Sequence, residues 1–439
     1  MTLPDDPFPP PIGILAGNGR FPGEVARSIR ARGGDVVILG IDGEASADLE
    51  EFGLIRVGWG EVGRILRTFR ERGCRELVIV GGVTRPDLTR IRPDMGVVWN
   101  LPEIIRIISS GGDDGVLSAL VRLIEARGFR VVSPADVAPE IVVGAGPMGA
   151  VEPSPADVAD MLLGSSIVKA LGPYDVGQGV IVSGGRIEAI EAAEGTNRMI
   201  ERVALRRVDE GRDTAGRGIL VKRPKPGQEM RVDLPAIGPE TVERTTKAGL
   251  RGIAVLAGLT LVTDRAQVVV RANEAGQFVY GFTSGGDTPG EVRPRGVEGG
   301  WVEGAVLTRR RPSKTGLRDA RFGAAVLSRL AEACPTGAVV VRREHVLALE
   351  PDGAFQTLFS RVARHTQWGE RRLGGRVGIA VLGREVALSE GAIAAAAESR
   401  LAGIAVMRPL AGANGSSLAA TADKAGMFVI EMVTDGGRG

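Results

Sequence analysis

Apolar residues fall into short runs separated by amphipathic stretches, and the alternation begins at residue 12. "IGILAG" reads as a buried strand and "FPGEVARSIRARGG" as a helix stopped by its glycines. "DVVILGID" and "LIRVGWG" supply the next two strands, a helix runs through "EVGRILRTFRERG", and "ELVIVGGV" is a fourth strand. Two helices, "NLPEIIRIISS" and "GVLSALVRLIEARG", precede the strand "FRVVSP". Wholly apolar strands between amphipathic helices predict a parallel sheet covered on both faces. Residues 1–145 are therefore expected to form a Rossmann-like α/β domain.

Residues 144–154, "GAGPMGAVEPS", read as a linker of Gly and Pro. A second α/β block follows over 155–282. It opens with the helix "PADVADMLLGSSIVKALG" and a hairpin in "QGVIVSGGRIEAIEA", turning at Gly184–Gly185. The helix "TNRMIERVALRRV" comes next, then "GILVKRPK", "PETVERTTKAG", "GIAVLAG", "VVVRANEAG" and "FVYGF" as alternating strands and helices. Residues 283–316, rich in Gly, Pro and Arg, read as a second linker.

Residues 317–439 look like a degenerate second copy of that block. "AGLRGIAVLAG" matches "SRLAGIAVMRP", "EAGQFV" matches "KAGMFV", and "GVIVSGGRIEAIEA" matches "AVVVRREHVLALEP". The apolar positions persist and the polar ones do not. Asp175 falls against Cys334, Gln178 against Gly337, Glu194 against Gly353, Asn197 against Gln356, and Asp233 near Arg384. The expected role of this copy is packing, not chemistry.

Composition narrows the chemistry. The chain has 439 residues with 55 basic and 53 acidic side chains, a net charge of +2 that offers no basic stripe to nucleic acid. Two separated cysteines, Cys74 and Cys334, and two histidines, His345 and His365, rule out a zinc cluster and a His-based triad. The N-terminus lacks a signal-peptide pattern and no apolar run is long enough to span a bilayer, so a cytoplasmic location is expected. Carboxylates, amides, hydroxyls and backbone must do the work.

Three groups of residues could carry it. In "LAGNGRFP", Gly17 and Gly19 form a strand-to-helix turn that could approach phosphate, and Asp42 closes the next strand as a dinucleotide-binding acid would. A purely structural tight turn satisfies the same pattern, and the third glycine of the dinucleotide fingerprint is missing. Arg85 in "GGVTRP" and Asp113 and Asp114 in "GGDDG" lie at element ends, where ligand contact and helix capping are both open. The third group is the densest: "YDVGQG" with Asp175 and Gln178, "EAAEGTN" with Glu191, Glu194, Thr196 and Asn197, and "PGQEMRVDLPAIG" with Glu229 and Asp233. Hard carboxylate oxygens in one block suit Mg²⁺ or Mn²⁺ bound together with substrate phosphate.

In this order, "GILAGNGRFP", "WGEVGRILRTFRERG", "VGGVTRPDL", "GDDGVL", "DVGQGVIV", "EAAEGTN", "QEMRVDLPAIGPETV" and "GLRGIAVLAG" resemble the LpxI-type UDP-2,3-diacylglucosamine pyrophosphatase family over residues 12–282. The resemblance implies two α/β domains with substrate between them. It further implies metal-assisted hydrolysis of a UDP-linked diacylglucosamine lipid to lipid X and UMP in lipid A biosynthesis, at the periphery of the inner membrane. Asp233 is then the expected central carboxylate and metal ligand, with Glu229 and Glu194 assisting. Gln178, Thr196, Asn197 and Asp175 would hold phosphate or sugar oxygens, and Gly17, Gly19, Arg85, Asp113 and Asp114 would line the cleft from the other side. Two places depart from the family pattern: Asn197 stands where the family favours Asp, and Glu229 where it favours Asp. They motivate the alternative of a nucleotide-sugar-lipid binding protein with weakened catalysis. Oligomeric state is left open.

Overall fold

The structure, a computed structural model, describes residues 10–82, 113–211, 216–283, 300–352, 358–359, 361–362, 378–410 and 413–434, without the side chains of 113–116 and 413–414. Three large sheets and one two-stranded sheet organise the described residues.

The first unit runs β1 (Ile12–Ala16), α1 (Phe21–Ala31), β2 (Val36–Ile41), β3 (Ile55–Val57), α2 (Val62–Glu71), β4 (Glu76–Val80), α3 (Asp113–Glu125) and β5 (Arg130–Val131). Its sheet is parallel throughout, in the order β3-β2-β1-β4-β5. Side chains alternate between two cores, as a doubly covered sheet requires. Ile14, Ala16 and Ile38 pack with Val25 and Ile29 of α1. Leu39, Ile41 and Leu77 pack with Leu66 and Phe69 of α2.

The second unit contains β6 (Gly146–Pro147), α4 (Pro155–Leu171), β7 (Gly179–Ser183), β8 (Arg186–Ile190), α5 (Thr196–Asp209), β9 (Ile219–Lys222), β10 (Ala236–Ile237), α6 (Pro239–Lys247), β11 (Gly252–Leu256), β12 (Leu261–Val262), α7 (Arg265–Glu274) and β13 (Phe278–Phe282). The main sheet has the order β6-β13-β11-β9-β7-β8, and β10 pairs with β12 separately. Gly184 and Gly185 do turn the β7–β8 hairpin, with φ of 56° and 77°. Asp160 of α4 accepts both of their backbone N–H groups, at 2.8 and 2.7 Å, and so pins the hairpin to the helix.

The third unit contains β14 (Trp301–Val306), α8 (Lys314–Leu330), β15 (Ala338–Arg342), β16 (His345–Glu350), β17 (Ile379–Leu382), α9 (Glu390–Glu398), β18 (Gly403–Val406), α10 (Ala413–Lys424) and β19 (Phe428–Thr434). Its strand order, β14-β19-β18-β17-β15-β16, is that of the second unit element for element. The directions agree as well: along each order the first pair is antiparallel, the next two are parallel and the last two are antiparallel. Even the hairpin clamp recurs, since Asp319 of α8 accepts the N–H of Glu344 at 2.8 Å.

Both segments read as linkers contain edge strands. Gly146–Pro147 pairs with β13, and Trp301–Val306 pairs with β19. Gly and Pro hid the first, because they mark turns in isolation yet are tolerated on a sheet edge. The second linker also ends early, at the start of α8.

Two junctions matter for function. Leu234, Ala236 and Leu261 of the second unit join the α1-side core of the first, and Arg20 meets Asp264 at 2.5 Å across the boundary. On the other side of the second unit, Ile167, Val168 and Leu171 of α4 share one core with Phe322, Val326 and Leu330 of α8.

Candidate active site

The chemistry gathers where β9 ends. Ligands of open α/β sheets bind outside the carboxyl ends of strands, and here β9 delivers Lys222, Arg223 and Lys225 in quick succession. The chain then loops through residues 226–235 to β10. Gln228 closes that loop on itself: its Oε1 accepts the Lys225 N–H at 2.8 Å, while its Nε2 donates to the Asp233 carbonyl at 2.6 Å and to Asp233 Oδ2 at 2.5 Å. Gln178, just before β7, donates a second amide N–H to the same Oδ2 at 3.3 Å. Both amides thus converge on the same carboxylate oxygen.

Asp233 is held at the boundary of two units by its neighbours. Val232 packs into the α2-side core of the first unit and Leu234 into its α1-side core. Burial raises the carboxyl above its ordinary range, against the lowering pull of Lys225 and the two amides. A raised carboxyl is a stronger base, the property a proton acceptor needs.

Cations surround it. Lys222 is buried, and its Nζ donates to the Ala236 carbonyl at 3.0 Å. Burial lowers its pKa, while the charges of Glu191 and Asp233 favour the ammonium. Lys225 pairs with Asp175, whose backbone sits in the left-handed region at φ 57°. Glu191 accepts the Gln178 backbone N–H at 3.3 Å and the Thr196 hydroxyl at 3.0 Å. Asp233, Gln178, Asp175, Thr196, Glu191 and two lysines thus form one connected group.

Other expected residues are placed elsewhere. Glu194 is held by arginines. Its side chain is 3% exposed and bound by Arg202 at 2.7 Å and Arg361 at 3.2 Å, so its charge is already neutralised. Glu229 is likewise engaged: Arg231 takes both of its oxygens, at 2.7 and 2.8 Å, and lowers its pKa. Arg231 in turn meets Glu125 of α3 at 2.7 Å, tying the loop to the first unit. Asn197 is exposed in the first turn of α5. Gly17 is required by close packing: a Cβ there would lie 2.2 Å from the Gly82 carbonyl oxygen. Gly19 follows in the same turn with φ 90°. Arg85, His365 and the apolar helix "NLPEIIRIISS" lie outside the described residues, as do the side chains of Asp113 and Asp114.

Lys222, Lys225 and Gln228 were not singled out from the sequence. "VKRPK" at the end of an apolar strand was the available signal, because three cations there serve no core.

Family models for the LpxI N-terminal domain and the LpxI C-terminal domain match residues 11–141 and 144–280. A UDP-2,3-diacylglucosamine pyrophosphatase LpxI of Caulobacter vibrioides is 37% identical over 271 residues, which is 62% of this chain and 96% of that protein. This chain belongs to the LpxI family. All of the Asp233 group lies inside the matched LpxI C-terminal domain, and the third unit lies beyond it. The third unit differs from the second at the matching places. In register, Lys222 opposite Gly179 becomes Leu382 opposite Ala338. The connection that carries Gln228 and Asp233, residues 223–238, shrinks to residues 383–389.

Proposed function

We propose that this chain hydrolyses the pyrophosphate of UDP-2,3-diacylglucosamine to UMP and the diacylglucosamine phosphate, with Asp233 as the base. The observation that carries this reading is the Asp233 arrangement: a half-buried carboxylate oriented by Gln178 and Gln228 beside two lysines, inside the LpxI-matched region. Asp233 takes the proton of an attacking water, the P–O–P bond breaks, and Lys222 and Lys225 offset the negative charge that collects on the departing phosphate. The N-terminus of α5, uncapped by any side chain, adds N–H donors for an anion.

Mg²⁺ or Mn²⁺ belongs to this proposal in a reduced form. Glu229 and Glu194 do not fit as ligands, because arginines occupy both. Asp233 does fit, since Mg²⁺ commonly takes one or two carboxylates and completes its shell with water and substrate phosphate. A cation there would lower the charge on the pyrophosphate. The diacyl substrate also places the work at a membrane surface. No helix among the described residues is long and apolar enough to cross a membrane, so peripheral contact is the form proposed.

The test is UMP release from UDP-2,3-diacylglucosamine by the purified chain, with Mg²⁺ and then with EDTA, and by Asp233→Ala. Release that requires Asp233 supports the proposal, and its loss in EDTA supports the metal. Binding of the lipid with no release by the wild-type chain would overturn the activity.

A further inference from the structure

The third unit is the part of the chain that a known relative has no room for: 271 aligned residues already fill 96% of the Caulobacter protein. It repeats the second unit's topology and docks equivalent on equivalent. Helix α4 packs on α8, and the edge strand β8 meets the edge strand β16. A contact in which the same elements face each other is the signature of a twofold dimer interface, here closed within one chain.

Along that interface runs a buried ion-pair network that ends at the active site. Arg361 of the third unit places Nη1 at 3.3 and 3.2 Å from the two oxygens of Glu194, and its Nη2 donates to Glu350 at 2.8 Å and to the Leu349 carbonyl at 3.1 Å. Arg202 binds Glu194 from the other side and also donates to the Ile190 carbonyl at 3.3 Å. Glu194, Glu350 and Arg361 are 3%, 2% and 9% exposed. Charges this deeply buried persist only when paired, and they fix geometry closely.

Glu194 sits in the turn that joins Glu191 to Thr196, closed by the Gly195 N–H on the Ala192 carbonyl at 3.1 Å. Glu191 and Thr196 are bonded to each other, and Glu191 also meets the Gln178 backbone. A displacement of Glu194 therefore moves the wall that faces Lys222 and Asp233. We propose that the third unit is a docked, chemistry-free copy of the second, and that Arg361 acts from it as a positioning residue for the loop 191–197. The effect on turnover rests on the function proposed above; the effect on the loop does not.

The test uses the full-length chain in four forms: wild type, Arg361→Gln, Arg361→Lys and Leu330→Ala. The last weakens the same interface without touching an ion pair. Arg361→Gln is expected to lower kcat for UMP release at least tenfold with KM nearly unchanged, and Arg361→Lys to recover part of the loss. Amide exchange over residues 191–197 is expected to speed up about tenfold in Arg361→Gln, but not in Leu330→Ala. Should Arg361→Gln fail to fold, Glu194→Gln breaks the same link and is expected to give the same local exchange. Unchanged exchange over 191–197 in the folded variant, or kcat no lower than in Leu330→Ala, overturns the proposal. A wild-type chain that releases no UMP refutes the proposed function instead, and the exchange measurement still decides this one.

Discussion

Replacing Asp233 by Asn separates chemistry from stability more sharply than any other substitution in this chain. The shapes match, and an Asn Oδ1 can still accept the Gln178 and Gln228 amides that now bind Oδ2 at 3.3 and 2.5 Å. What disappears is the charge. Burial is the largest influence on Asp233 and it raises the pKa, so the ionised carboxylate is the form that the folded site disfavours. Lys222 keeps Glu191 nearby and Lys225 keeps Asp175, so neither lysine is stranded. The thermal midpoint is therefore expected to stay level or rise by a few degrees, since about 1 kcal/mol corresponds to roughly 2–4 °C for domains of this size. Losing a positioned base, in contrast, removes about 10²–10⁴ in rate, or roughly 3–5 kcal/mol of barrier lowering. The pH profile supplies a second check. The base must be ionised, so wild-type kcat/KM rises with pH through a midpoint above the usual carboxylate range, and that limb vanishes in the variant. UMP release across pH, with a melting curve at each point, reads all three quantities. Turnover within tenfold of wild type would refute the role of base, and a midpoint lowered by more than about 5 °C would refute the stability argument.

Three further substitutions test other parts of the structure. Lys222→Met is expected to lower kcat/KM about a hundredfold with at most about 1 kcal/mol lost from stability, because the hydrogen bond to Ala236 goes but a buried ammonium goes with it. Its depressed pKa also means that wild-type activity falls on the alkaline side before lysine's usual range; an unchanged alkaline limb in the variant would rule Lys222 out. Burial pushes Glu350 up from 4.5 to about 7, although Arg202, Arg206 and Arg361 face it and only Asp352 opposes them. A raised acid gives stability below the unfolded value that is lost as pH climbs from 4.5 to about 7, a change on the order of 3 kcal/mol. Glu350→Gln should flatten the urea-unfolding profile over that window, and parallel profiles would refute the assignment. Gly17→Ala, whose Cβ would meet the Gly82 carbonyl at 2.2 Å, should cost about 1–3 kcal/mol in urea unfolding; no loss would mean that the turn is not held by packing.

Strand and helix positions in the first two units were legible because period and punctuation agree there. "VVILGI" is apolar on both faces, and the sheet buries all six of its residues. Edge strands escaped because one neighbour suffices for them and they need no apolar run. Of the residues expected at the site, Asp233, Gln178, Asp175 and Thr196 are brought together. The arginine partners of Glu194 and Glu229 were not legible, because a carboxylate in a string does not disclose its counter-ion. Arg361 is 167 residues from Glu194, and no local pattern joins them. Lys222 was missed for the converse reason. At the end of an apolar strand it looks like the first residue of a loop, whereas its four-carbon stem carries the ammonium inward to Ala236.

The comparison of Lys222 with Leu382 shows how one strand order is built with and without a buried cation. Both positions end the equivalent strand, opposite Gly179 and Ala338. In the second unit the position holds a buried cation whose desolvation opposes its charge, and Glu191, Asp233 and the Ala236 carbonyl offset that cost. In the third unit the carboxylate-bearing loop is reduced to residues 383–389 and no substrate is expected. A lysine there would keep the desolvation and lose the partners, whereas leucine turns the same burial into a favourable contribution. The core valines and isoleucines carry no such conflict and are retained in kind, with Val339, Val340, Val341 and Ile379 all buried. The same logic leaves Arg361 and Glu350 conspicuous. Both are buried, as Asp319 of the hairpin clamp is, but these two point across the interface toward Glu194 and Arg202.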